Sequence, residues 1–237
     1  NRQRNALRNQ GTGLGLLIVG NVWMFYVQDV NALITRENHL NSYGQLTCLQ
    51  PHRLQRFHMD YSTDFTDHAE ALAALFEASF AGSEGVEEGA LIGVLVRRLI
   101  ADTQDNDLRI ITAWEDGAPL GGICFTRLIY SNDPRKVFMM APVAVATAHQ
   151  GKGIGQRLIT HGLQVLREEG VDIAVTYGDP AFYSRVGFKP ISVADLPAPQ
   201  PLNLPQGWVA QSLTEELLTP LNGTARCVSA FDDPVFW

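Results

Sequence analysis

Three glycines, Gly151, Gly153 and Gly155, follow closely on the apolar triplet Val143-Ala144-Val145 and the residue Gln150. This is the spacing of a strand that ends, turns and gives way to a helix. Glycine lets the backbone turn sharply and lets a ligand approach the amides. The first N–H groups of a helix have no intrahelical partner and carry the positive end of its dipole. Together they make a cradle for pyrophosphate, with Lys152 adding charge from the rim. Two well-known phosphate loops do not fit. A P-loop needs Ser or Thr directly after its Lys, whereas Gly153 follows Lys152. A dinucleotide fingerprint counted from Gly151 needs a glycine where Gln156 stands, although Asp172 lies about where its acidic partner is expected.

The run Gln150-Gly151-Lys152-Gly153-Ile154-Gly155 after Val143-Ala144-Val145 resembles the Gln/Arg-x-x-Gly-x-Gly/Ala signature of the GNAT superfamily of N-acetyltransferases. Gln150, Gly153 and Gly155 occupy its defined positions. Downstream, Tyr177-Gly178-Asp179-Pro180-Ala181-Phe182-Tyr183, continuing to Gly187-Phe188, resembles the second diagnostic stretch of that family. Its Gly-Asp-Pro-x-x-Tyr form is similar to a bacterial predicted-acetyltransferase subgroup. The resemblance covers residues 60–193 in element order and 143–188 in motifs.

The resemblance implies acetyl-coenzyme A as co-substrate, held where the strand ending at Val145 splays from the strand ending near Tyr177. Backbone groups of Val143, Ala144 and Val145 would run beside the pantetheine arm, with free groups of Val143 and Val145 pairing with it. Amides of Gln150, Gly151, Lys152, Gly153, Ile154 and Gly155 would hold the pyrophosphate, and Asp179 and Tyr183 would complete the cofactor site. Tyr183 matches the family tyrosine that serves as general acid. The implied reaction moves an acetyl group to the primary amine of a small molecule. The rival reading is a non-catalytic acyl-CoA-binding sensor or partner module of the same fold.

Several roles stay open at this point. Many relatives carry a glutamate on the central strand, but Val137, Phe138, Met139 and Met140 offer no carboxylate. Asp179, Glu115 and His149 are candidates for a general base, and a water chain is another. Asp179 also suits a helix cap, and Tyr183 also suits a core tyrosine with a satisfied hydroxyl. Met139, Met140, Phe125 and Tyr130 suit an acceptor wall or ordinary packing. Glu77, Glu84, Glu87 and Glu88 suit attraction of a cation or a solvated face.

These residues need elements to hold them. Ala71, Leu72, Leu75, Phe76 and Phe80 have helical spacing over 67–80, with Asp67 and Glu70 in a capping-box arrangement. A second helix is predicted over 86–100, with Leu91, Val94, Leu95 and Leu99 inward. A hairpin follows, with strands at 108–114 and 120–129 about the turn Asp116-Gly117. A central strand over 137–145 leads to the glycine loop, and then to a helix over 153–169 whose buried stripe is Ile154, Leu158, Ile159, Leu163 and Leu166. Gly170 ends it. A strand over 171–177, a short helix over 180–186 and a strand over 188–193 come next. Pro197, Pro199, Pro201 and Pro205 predict an extended surface linker over 196–207, and 224–231 is read as a last strand. The fold class is α/β, a single GNAT-type domain with a mixed central sheet, splayed strands and flanking helices.

Composition narrows the class. A formal charge of −7 speaks against a nucleic-acid partner and mildly favours a cationic one. Cys48, Cys124 and Cys227 form no CxxC pair, so neither a metal site nor a disulfide framework is indicated. Residues 1–58 lack sustained periodicity and read as an N-terminal extension, with the domain proper at 59–237 beginning near Met59. The apolar run from Leu14 to Val27 is too short to span a bilayer comfortably and contains Asn21, with no Ala-x-Ala site after it. The expectation is a cytoplasmic protein without a membrane partner, its oligomeric state open and a homodimer among the options.

Overall fold

A short strand and then a helical hairpin open the part of the chain described by the computed structural model, residues 59–237. The expected extension at 1–58, its apolar run and Cys48 lie outside the described residues. A short strand β1 (Asp60–Ser62) comes first, then α1 (Ala69–Glu84) and α2 (Val86–Asp102). The expected capping box is not made. A single 3-10 turn occupies 66–68, and no side chain caps α1 at His68. In α2 the buried face is Ile92, Leu95, Val96 and Leu99, while Val94 is 51% exposed, so the stripe is rotated from the expected one. The reason is the close approach of α1: a Cβ on Gly89 would lie 2.6 Å from Ala81 Cβ, so α2 turns its small face to α1.

The sheet follows. β2 (Leu108–Glu115) and β3 (Ala118–Tyr130) pair about the Asp116-Gly117 turn, both residues at positive φ. β4 (Val137–Val145) matches its expected bounds, and α3 (Ile154–Glu168) buries all five residues of the expected stripe. β5 (Ile173–Tyr177) and α4 (Pro180–Tyr183) follow, with a 3-10 turn over 184–186.

The last quarter departs from expectation. The strand at 188–193 shrinks to β6 (Lys189–Pro190), and β7 (Trp208–Ser212), not anticipated, inserts antiparallel between β5 and β6. The proline segment ahead of it is not a free surface linker, because Leu196 is buried and Leu202 and Leu204 pack on the core. The expected final strand reduces to β8 (Ala225–Arg226) on the end of β3, followed by 3-10 turns. Phe231, Phe236 and Trp237 in those turns pack on the face of the sheet that α1 and α2 cover. The sheet order is β1-β2-β3-β4-β5-β7-β6. α3 and α4 cover its other face with a second cluster that includes Leu158, Leu163, Tyr183 and Phe188. Each such aliphatic side chain withdrawn from water contributes roughly 1.5–3 kcal/mol.

Candidate active site

β4 and β5 are parallel and pair over only three positions, Val137 with Ile173, Phe138 with Ala174, and Met139 with Val175. Both strands continue beyond that point, so a gap opens between them. β4 carries one residue more than β3 in this stretch, since Met140 pairs with Phe125 and Val143 with Ile123. Pro142, within the bulge, has no N–H to give to a neighbour. At the fork the Thr176 hydroxyl donates to the Met140 carbonyl at 2.7 Å. A side chain thus meets the carbonyl that a continued ladder would have used.

Main-chain direction along the gap follows from one bond. The Ala146 N–H donates to Leu120 O at 2.8 Å, so strand alternation turns Val143 and Val145 away from β3. The Val145 carbonyl is not free as expected: it accepts from Ser79 Oγ at 3.0 Å and from Gln150 Nε2 at 3.1 Å. These bonds tie the start of the glycine loop to α1. Gly151 and Gly153 both adopt φ 74°, a left-handed conformation that glycine alone adopts freely. Gly153 is the N-cap of α3, and no side chain caps the helix there. Gln150, Gly151, Lys152 and Gly153 are exposed, Gly155 half-buried, and Ile154 is buried as the first anchor of α3. The outcome is an open helix N-terminus at the mouth of the gap.

Asp179 Oδ1 accepts from the Ala181 N–H at 2.9 Å, so Asp179 caps α4. Tyr183 at the end of that helix is 1% exposed and meets Phe182 and Phe188 edge to face. Its hydroxyl lies by Thr176 yet makes no well-formed hydrogen bond among the described residues. Burial pushes its pKa well above the ordinary tyrosine value, the Thr176 hydroxyl lowers it in part, and the Asp179 charge raises it. A satisfied core tyrosine accounts for the burial but not for the orphaned hydroxyl.

The other candidates disperse. Glu115 and His149 line a cavity of about 160 Å³ with Lys152 and Arg157, on the hairpin side of the loop, away from the gap. Met139 faces a pocket on the α1–α2 side, whereas Met140 and Phe125 belong to the α3-side core. The Tyr130 hydroxyl donates to Pro197 O at 2.7 Å. Glu77 pairs with Arg97 at 3.2 Å. Burial raises the pKa of Glu84 and of Glu88. Ser79 and Thr176, which set the geometry of the gap, were missed because a lone hydroxyl on a helix or strand carries no sequence pattern. Among the described residues no cluster of His, Cys, Asp and Glu could hold a metal ion, and no helix is long and apolar enough to cross a membrane.

A sheet forked between two parallel strands, with an uncapped glycine-rich helix N-terminus at the fork, defines a protein built to hold an extended, phosphate-bearing ligand across its sheet. The chain belongs to the acetyltransferase (GNAT) family, whose model matches residues 69–188. It is 34% identical over 139 residues to the uncharacterized N-acetyltransferase YjhQ of Escherichia coli strain K12, spanning 56% of this chain and 76% of that one. Among solved structures, it is similar to the GNAT family N-acetyltransferase YhbS of Escherichia coli in complex with CoA. That likeness has 26% identity and a TM-score of 0.63, over 74% of this chain and 92% of the other. A GNAT family acetyltransferase of Brucella melitensis in complex with acetyl-CoA is also 26% identical, with a TM-score of 0.58, over 74% and 99% of the two chains.

Proposed function

We propose that residues 59–237 form an acetyl-CoA-dependent N-acetyltransferase domain whose acceptor is the primary amine of a small molecule. The observation that carries this reading is the forked β4–β5 pair with the α3 N-terminus open at its mouth. The residues present fit the co-substrate. Main-chain groups of Val143 and the N–H of Val145 face the gap, the α3 amides await an anion, and among the described residues the buried Tyr183 hydroxyl makes no well-formed hydrogen bond. When bound, acetyl-CoA brings a thioester already reactive towards amines.

The chain's own residues then orient and move protons. Amides from Gly151 to Gly155 hold the pyrophosphate, with Lys152 at the rim and Gln150 securing the loop through the Val145 carbonyl. A main-chain N–H of Val143 or Val145 steadies negative charge on the acyl oxygen. Tyr183 gives its proton to the sulfur as the C–S bond breaks and the new C–N bond forms, and recovers a proton through water from the acetylated nitrogen. Asp179 acts by capping α4 and so positioning Tyr183. Much of the acceleration is orientation.

The test is release of free thiol from acetyl-CoA in the presence of a panel of small amines. Amine-dependent release supports the transferase. Saturable acetyl-CoA binding with no release across the panel supports the non-catalytic module, which the lack of a carboxylate on β4 favours.

A further inference from the structure

Thr176 stands between two acceptors. On β5, Ala174 belongs to the α3-side cluster, whereas Val175 and Tyr177 belong to the other, so strand alternation turns Thr176 to the face that carries Tyr183. The Thr176 hydroxyl is buried and has a single hydrogen, which it gives to the Met140 carbonyl at 2.7 Å. The Tyr183 hydroxyl beside it makes no well-formed hydrogen bond among the described residues. We propose that Thr176 is a positioning residue with two settings. It donates to the Met140 carbonyl while Tyr183 holds its proton, and to the Tyr183 oxygen once that proton has gone to the sulfur. The inference rests on the acetyltransferase reading and adds a residue to its proton step.

The resting setting leaves Tyr183 ready. With the Thr176 hydrogen committed to β4, the Tyr183 proton is held by no well-formed bond and is available to the leaving sulfur. Rigidity decides which group moves next. Phe182 and Phe188 meet the Tyr183 ring edge to face, their centroids 5.1 Å and 5.7 Å away, and the Tyr183 N–H donates to Asp179 O at 3.1 Å. The ring is therefore held, whereas the hydrogen of a hydroxyl turns about its C–O bond. Charge decides which acceptor prevails. A phenolate accepts more strongly than a neutral carbonyl, and left unpaired in this apolar cluster it would be costly. The nearby Asp179 charge adds to that cost, and the Thr176 hydroxyl relieves it. Turning the hydrogen exchanges hydrogen bonds and no covalent ones. Thr176 keeps its proton throughout, Tyr183 recovers its own through water, and the hydrogen then returns to the Met140 carbonyl.

A double-mutant cycle tests this, read as thiol release at saturating acetyl-CoA with the panel amine that the unmodified protein acetylates fastest. Thr176→Val should lower kcat roughly tenfold or more. Thr176→Ser keeps the hydroxyl and should hold kcat within about threefold of the unmodified protein. Added to Tyr183→Phe, Thr176→Val should lower kcat by less than about twofold further, because no phenolate then forms. Thr176→Ala takes the place of the valine variant if that one melts early. A folded valine or alanine variant with unmodified kcat would overturn the inference. So would a serine variant as impaired as the valine one, or an equal loss in the Tyr183→Phe background, the mark of a residue that merely shapes the fork. Each of these leaves amine-dependent release by the unmodified protein intact. Absence of that release across the panel would instead overturn the parent reading, and this inference with it.

Discussion

Tyr183 is the residue on which chemistry and structure meet most narrowly. Its hydroxyl is buried and makes no well-formed hydrogen bond among the described residues, an arrangement that costs stability unless something else uses it. Replacing it with Phe removes the orphan, so Tyr183→Phe should leave the melting temperature unchanged or higher. The same variant should lower kcat by roughly 10²-fold or more, with the Kd for acetyl-CoA nearly unchanged. A merely structural tyrosine would show neither split. Because burial raises its pKa, Tyr183 stays protonated to higher pH than a free tyrosine. The pH profile of kcat should therefore show no falling limb from loss of this proton at or below pH 10. Ser79 acts at one remove. Ser79→Ala deletes one of the two donors to the Val145 carbonyl and should weaken acetyl-CoA binding severalfold, read by calorimetry, for about 1 kcal/mol of stability.

At the scale of elements, the glycine loop is the part most open to test. Gly153 holds φ 74°, and a Cβ there would touch nothing within 4 Å. Gly153→Ala should thus cost only the left-handed backbone, about 1–2 kcal/mol and a few degrees in melting temperature. Its larger effect should be on the cradle, with acetyl-CoA affinity reduced tenfold or more. The loop and α3 were legible in advance because their signals are local: a glycine at each turn, and a stripe from Ile154 to Leu166 that recurs at helical period. The gap was foreseen only through the family resemblance. Its physical causes, the β4 bulge at Pro142 and the Thr176 bond to Met140, depend on which strand lies beside which. β7 was missed because Trp208-Val209-Ala210 is too short a run to declare a strand without its neighbours. The rotation of α2 has the same origin, since periodicity marks an apolar stripe but does not say that Gly89 brings α1 close. Asp179 was read as a helix cap among its options and does cap α4, whereas the Val145 carbonyl was expected to be free and is bonded.

At the scale of the molecule, the segment after β7 must fold back across the sheet to bring Phe231, Phe236 and Trp237 to the fork. A clasp holds it. Asp133 accepts from Arg135 Nη2 at 2.7 Å and from the Asn222 N–H at 3.2 Å, while Arg135 donates to Pro220 O at 2.7 Å. The Arg135 guanidinium, first of several causes, holds the Asp133 pKa down to about 2, below its ordinary 3.8. A carboxylate depressed in the folded state stabilises fully above its unfolded pKa and loses that contribution as pH falls through the folded one. Asp133→Asn should lower the melting temperature at pH 7 and flatten its decline between about pH 4 and pH 2, read by thermal melts across that range. An acid limb as steep as that of the unmodified protein would remove Asp133 from the clasp. Calorimetric titration of the purified chain with acetyl-CoA tests the central claim most directly. The expected result is saturable binding of one acetyl-CoA per chain, weakened in Gly153→Ala. Absence of saturable binding by the folded protein would contradict the account, because the open helix end and the forked strands would then hold no such ligand.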